Sequence, residues 1–392
     1  GGNAGRFSLY GSGGRGGNGG AGAPGTPGTY IPAGVTWTGQ TAPAKGWASV
    51  TYGNGLFVAV AYYADPGDVE RVMTSSDGIT WTSRTATAAN LWQSVTYGNG
   101  LFVAVSGNSA GGEQVMTSTN GIDWTSQAAQ DFNEWNSVTY GDGLFVAVSD
   151  SFYGSAANRV MTSTDGSIWT SQTAINNDWN SVTYGNGRFV AVSGSGLANT
   201  QVMTWDGVDG DPWNSQTAAP GGGWQSVTYG NGLFVAVSQQ GGVMTSPDGS
   251  TWTGRTAAPP ATDWYSVTYG GGQFVAVAYY SDQQWVMTSP DGITWNAQTA
   301  AENIEWYSVT YGGGQFVAVS DQPTADFTPG GAPTKQVMTS TASGTSGTPG
   351  IPGGNGGNGG NAGLIGAGGA GGAGGDLSYN GTNGTSGQQT SR

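Results

Sequence analysis

The chain has 392 residues, 74 of them glycine, and only 9% are charged against about a quarter in an ordinary soluble protein, so its polar surface must be built from Ser, Thr, Asn, Gln and Gly. Ten basic against 24 acidic residues leave a formal charge of −14, a field that repels phosphate backbones and excludes nucleic acid as an expected partner. Cysteine and histidine are both absent, which excludes disulfides and thiolate metal sites and removes the commonest general base and metal ligand. On that ground the chain is expected not to be an enzyme and to carry no cofactor. The longest apolar runs, such as Leu56 to Ala61, are strand-sized and far short of the roughly 20 residues of a membrane helix, so no membrane insertion is expected. Any export signal is expected to have been removed or to lie outside this sequence.

The amino-terminal stretch, 1–33, places glycine at every third position from Gly13 to Gly28. A period of three fits polyproline-II geometry, and with Asn, Ala and Gly as fillers a laterally packed bundle of polyglycine-II helices is preferred over a collagen triple helix. A flexible linker is the alternative. The next segment, Val35 to Ala42, reads as a short strand around Trp37.

From there W-x-S-V-T-Y-G recurs seven times, at Trp47, Trp92, Trp135, Trp179, Trp224, Trp264 and Trp306, at spacings of 40 to 45 residues. Each copy leads into an alternating apolar run around a Phe, then Val-Met-Thr, then a Ser-x-Asp-Gly turn and a strand centred on a second Trp. Four short strands per repeat of this length predict an all-β, seven-bladed β-propeller spanning 34–341. The seventh repeat runs from Val337 to Ser340 into Thr-Ala-Ser-Gly with neither Asp nor Trp, and Val35 to Thr41 supplies the missing outer strand. The amino-terminal strand therefore closes the last blade, which leaves no open ring edge. Glycine returns at every third position from Gly354 to Gly375, within a carboxyl-terminal arm 342–392. Both arms leave the same blade and are expected to self-associate or build a fibre.

The turn Ser75-Ser76-Asp77-Gly78-Ile79-Thr80-Trp81, with counterparts at Asn120, Asp165, Asp248 and Asp291, resembles the Asp-box of sialidase-like propellers, although it is one residue tighter. In that family the motif is structural, and a carboxylate accepting local N–H bonds before a glycine is sound turn chemistry. A sialidase also needs an arginine cluster at the ring axis. Here the first strands read Ser-Val-Thr-Tyr-Gly without charge, and no arginine trio converges by position. A glycosidase using two loop carboxylates stands third among the readings. The spacing of Asp206, Asp209 and Asp211 suggests a calcium site or, more simply, an exposed polar turn.

The repeat text W-x-SVTYGNGLFVAV…VMTSPDGITWT is similar to repeats of bacterial secreted proteins and of phage tail-fibre or adhesin proteins. The glycine-rich flanks resemble those of phage tail adhesins and of mycobacterial PGRS proteins. These resemblances imply an extracellular, virion-surface or cell-surface binding module, with a structural subunit of an extracellular filament as the alternative. In such a blade the turns between strands one and two and between three and four are nearly uniform, whereas the loops on the opposite face vary. Aromatic and acidic side chains on those loops, namely Tyr62, Tyr63, Tyr153, Tyr279, Tyr280 and Trp285 with Asp65 and Asp282, are expected to bind a glycan or surface polymer.

Overall fold

The computed structural model describes residues 29–107, 113–150, 158–196, 198–208, 210–259, 262–280, 285–321 and 335–345. Residues Ala33–Thr341 form one compact unit whose strands make seven four-stranded antiparallel sheets, the blades of a β-propeller. Blade 3 is representative: its strands run Trp135–Gly141, Leu144–Ser149, Val160–Ser163 and Thr170–Gln172, from innermost to outermost. The first hairpin turns on two residues, Asp142 at φ 49° and Gly143 at φ 78°, and both central residues of a type I′ turn need positive φ. The second strand, Phe-Val-Ala-Val, is buried on both sides because it lies between neighbouring blades, which is why it reads as a continuous apolar run.

The outer strands are shorter than the sequence pattern suggests. In blade 1 the strand is Thr82–Arg84, after Trp81, and the Trp belongs to the preceding turn, where its Nε1 donates to the Gly78 carbonyl at 2.9 Å. The closing strand is likewise Thr38–Gln40, pairing Thr38 with Thr339 and Gln40 with Val337 to complete blade 7. Ser340 Oγ ties the closing segment down further, accepting from Gly34 N at 2.7 Å and donating to Thr36 O at 2.5 Å.

Three seven-membered rings join the blades. The Trp that opens each first strand is fully buried in all seven. The Ser of W-x-S accepts a hydrogen bond from the Val backbone N–H of the following blade at 3.1–3.2 Å, from Ser49 to Val95 around to Ser308 to Val50. The Tyr of each first strand lies over the glycine ending the previous blade's first strand: a Cβ on Gly141 would sit 2.1 Å from Tyr184 Cγ, and one on Gly312 equally close to Tyr52.

Outside the propeller unit, Thr29–Ile31 and Ser343–Thr345 form an antiparallel two-stranded ribbon with Thr29 opposite Thr345. The glycine-repeat segments of the two arms lie outside the described residues.

Two glycines two residues apart separate close packing from backbone strain. Gly141→Ala should cost about 3 kcal/mol in denaturant unfolding, because the Tyr184 ring must leave its place. Gly143→Ala, at positive φ but with open space around it, should cost only about 1 kcal/mol. Deleting residues 1–42 should remove the outer strand of blade 7, lower the melting temperature and give concentration-dependent aggregation in light scattering.

Candidate functional site

All seven first strands start on the face that carries the variable loops, and each starts with an irregularity. The register shifts between the Trp and the Ser of W-x-S in every blade, as between Trp135 and Ser137, which leaves the x residue as a β-bulge. The bulge lets x and Ser share one side of the strand. The seven x residues, Ala48, Gln93, Asn136, Asn180, Gln225, Tyr265 and Tyr307, line a single axial cavity of about 270 Å³ with six of the serines and Asp150.

Part of this lining is fixed by bonds between blades. Asn136 Nδ2 donates to Trp179 O at 3.2 Å, and Asn180 Nδ2 to Trp224 O at 3.0 Å and Gln225 Oε1 at 3.1 Å. Tyr265 donates its hydroxyl to that of Tyr307 at 2.5 Å, and the two rings lie 4.1 Å apart between centroids. Tyr279 completes an aromatic trio, 5.5 Å from Tyr265 and 5.9 Å from Tyr307. Burial pushes the Tyr265 phenol up to about 12 and Tyr307 well above its ordinary value, so both stay protonated donors.

Asp150 lines the cavity itself, and further carboxylates sit at the neighbouring strand ends. The residue after the second strand bonds back to the residue before the Trp, as Asp150 N does to Glu134 O at 3.1 Å, and acids occupy both positions in blades 3 and 7. Glu134 titrates above its usual range through burial and then through Asp150 beside it. Asp321 is pushed up to about 7 by burial and then by Glu305, and its Oδ1 is buried without a hydrogen-bond partner. Asp263 is raised by burial, and Asp178 accepts the Ser195 hydroxyl at 2.9 Å. Among the described residues no lysine or arginine lines the cavity.

The residues expected to bind from sequence are not all placed for it. Tyr63 is 55% exposed, Asp65 is exposed and Tyr62 is half-buried. Tyr62 and Tyr279 are the penultimate residues of the second strands of blades 1 and 6, Leu56–Tyr63 and Gln273–Tyr280, the two blades that flank blade 7 and its Asp321. Tyr280 ends its strand opposite Asp263. Tyr153 and Asp282 lie outside the described residues. Trp285 needs correction as an exposed contact: it is only 7% exposed, and its Nε1 donates to Asn303 Oδ1 at 2.5 Å. It occupies the position before Val-Met-Thr where blades 1 and 3 bury Arg71 and Arg159, whose guanidinium groups hold the carbonyls of Tyr62 and Asp150. This position anchors the variable loop.

The turn residues are occupied locally. Asp77 Oδ1 accepts from Ile79 N and Thr80 N at 2.8 Å, which holds its carboxyl below the ordinary range, as in Asp165, Asp248 and Asp291. The Asn120 amide oxygen accepts the same pair of bonds at 2.9 Å. Of the calcium candidates, Asp206 accepts from Val208 N at 3.1 Å and Asp211 is exposed, while Asp209 lies outside the described residues. The x positions escaped sequence reasoning, although one signal marked them: each is the one variable letter inside an otherwise constant motif.

The sequence matches no protein-family model and no curated protein. Among solved structures, the chain is similar to selenomethionine-substituted virginiamycin B lyase from Staphylococcus aureus, with a TM-score of 0.61 at 9% identity over 78% of this chain and 98% of that one. It is similar to a streptogramin B lyase structure, with a TM-score of 0.62 at 10% identity over 81% and 98%, and to YCF48 bound to D1 peptide, with a TM-score of 0.56 at 13% identity over 80% and 97%. These likenesses establish the fold. They also correct the expectation that the chain is no enzyme: two of these propellers are lyases, so the fold does not exclude catalysis.

The Asp321 environment makes a signed prediction. Between about pH 4 and 7 the folded chain keeps a proton on Asp321 that the unfolded chain, titrating near 3.8, has released, so this group's contribution to stability falls as pH rises and is flat above 7. Asp321→Asn should therefore melt above the wild type at pH 8, with the difference closing towards pH 4 in paired thermal scans.

Proposed function

We propose that the chain is an extracellular, virion-surface or cell-surface binding module that recognises a glycan or surface polymer in the axial cavity. One observation carries this reading: the only variable letters of a seven-fold constant motif converge on one cavity and are mainly amides and phenols. Amides present a donor and an acceptor side by side, which suits vicinal hydroxyls, and tyrosine rings suit the apolar face of a sugar. The similarity of the repeats to Asp-box propellers and to phage tail-fibre and adhesin repeats supports the same reading, as does a surface built from Ser, Thr, Asn and Gln.

A role for the arms in fibre assembly has its own support. In the antiparallel ribbon Thr29 lies opposite Thr345, so the chain before 29 and the chain after 345 leave from the same end. Two glycine-period segments issuing side by side suit lateral association, with each other or with those of neighbouring chains.

The binding reading is tested on a glycan array with the wild type, a Gln93→Ala/Asn136→Ala/Tyr307→Phe variant and a Tyr62→Ser/Tyr63→Ser variant, all checked for folding by circular dichroism. The cavity variant should lose about tenfold or more in affinity for the glycans that the wild type retains, the effect of one or two hydrogen bonds. Undiminished binding by the folded cavity variant, with loss in the loop variant, would move the site to the loops.

A further inference from the structure

We propose that the corner of the mouth formed by Tyr265, Tyr279, Tyr307 and Asp321 takes an ammonium group, so that the preferred ligand is an amine-bearing sugar polymer. The inference rests on the cavity being a glycan site and names the class of glycan. Of the seven x positions only Tyr265 and Tyr307 are aromatic, they fall in adjacent blades, and Tyr279 from the hairpin partner of the Tyr265 strand closes on both. Three clustered rings offer faces and edges on which a cation is stabilised. Beside them the Asp321 carboxylate has one buried oxygen with no hydrogen-bond partner, an arrangement that costs stability unless something completes it.

Among the described residues nothing completes it. Glu305 takes up the Tyr279 hydroxyl and adds negative charge. The described cations are engaged elsewhere: Lys45 pairs with Asp68, Arg71 and Arg159 hold loop carbonyls, and Arg84, Arg188 and Arg255 bond to hydroxyls of Thr74, Ser250 and Thr245. Lys335 lies beside the outer strand Thr38–Gln40. A calcium or magnesium ion would require six or more oxygen ligands, and no group of three or more acidic side chains able to hold a metal ion occurs among the described residues. An ammonium group needs only two or three acceptors and gains from aromatic faces. Blade 3 also brings two acids together, Glu134 and Asp150, but its neighbours at the x positions are amides without rings. Among the described residues, only the corner between blades 6 and 7 combines both features.

The test is calorimetric titration of the full chain at pH 7 with a glucosamine tetramer and an N-acetylglucosamine tetramer of the same linkage. The amine-bearing tetramer should bind about tenfold or more tightly, and the preference should shrink to about twofold in Asp321→Asn, in Tyr307→Leu and at about 0.5 M salt. Equal affinities, a preference for the acetylated tetramer, or a preference that survives Asp321→Asn would each overturn the ammonium corner. If the acetylated tetramer binds equally well and the Gln93→Ala/Asn136→Ala/Tyr307→Phe variant weakens it, the glycan site stands and only this inference fails. Binding of neither tetramer overturns this inference, while the glycan array still decides the broader reading.

Discussion

Each blade offers its neighbour the same two things, a serine oxygen and a bare glycine. The serine matters because the bulge at x interrupts the first strand, and the Val N–H that follows is satisfied from the serine of the preceding blade. The glycine matters because a tyrosine ring fills the place of its missing side chain. Neither contact can be improved within one blade, so the repeats are stable only as a closed ring. Closure in turn makes the short strand Thr38–Gln40 indispensable, for without it blade 7 would stop at the strand Val337–Thr341.

The same bulge builds the cavity. A regular strand sends alternate residues to opposite faces, so x and Ser could not both face the axis. One extra residue per blade turns a plain pore lining into a ring of chosen side chains, set on strands rather than loops. The ring is rigid at its base, where Ser and Trp are fixed, and individual at its tip, where Gln, Asn, Tyr or Ala stands. Asp321 and Glu134 mark where that individuality opposes stability: their burial beside like charges is unfavourable to the folded chain, a common mark of sites kept for something other than folding.

Much of the fold was legible because each repeat spells its own strands. The seven W-x-S-V-T-Y-G copies, the apolar Phe-Val-Ala-Val strand and the missing outer strand of the seventh repeat needed no tertiary information. The site was less legible. Treating x as a wildcard discarded the letters that line the cavity, and pairing Tyr265 with Tyr307 requires knowing that adjacent blades bring equivalent positions together. Trp285 misled for a related reason: a large aromatic before Val-Met-Thr looks like loop decoration, yet it stands where Arg71 and Arg159 are buried. The absence of histidine argues against the commonest general base, but it does not make the chain a non-enzyme, since propellers of this fold include lyases.

The bulged position gives the molecule a grammar. Because the residues flanking x are constant and the blades equivalent, swapping, duplicating or recombining whole repeats rewrites one letter of a seven-letter word without disturbing the page on which it is written. Exchange of whole repeats would thus change the lining of the cavity and leave the ring intact, and relatives of this chain should differ in the spelling of that word before they differ in its frame.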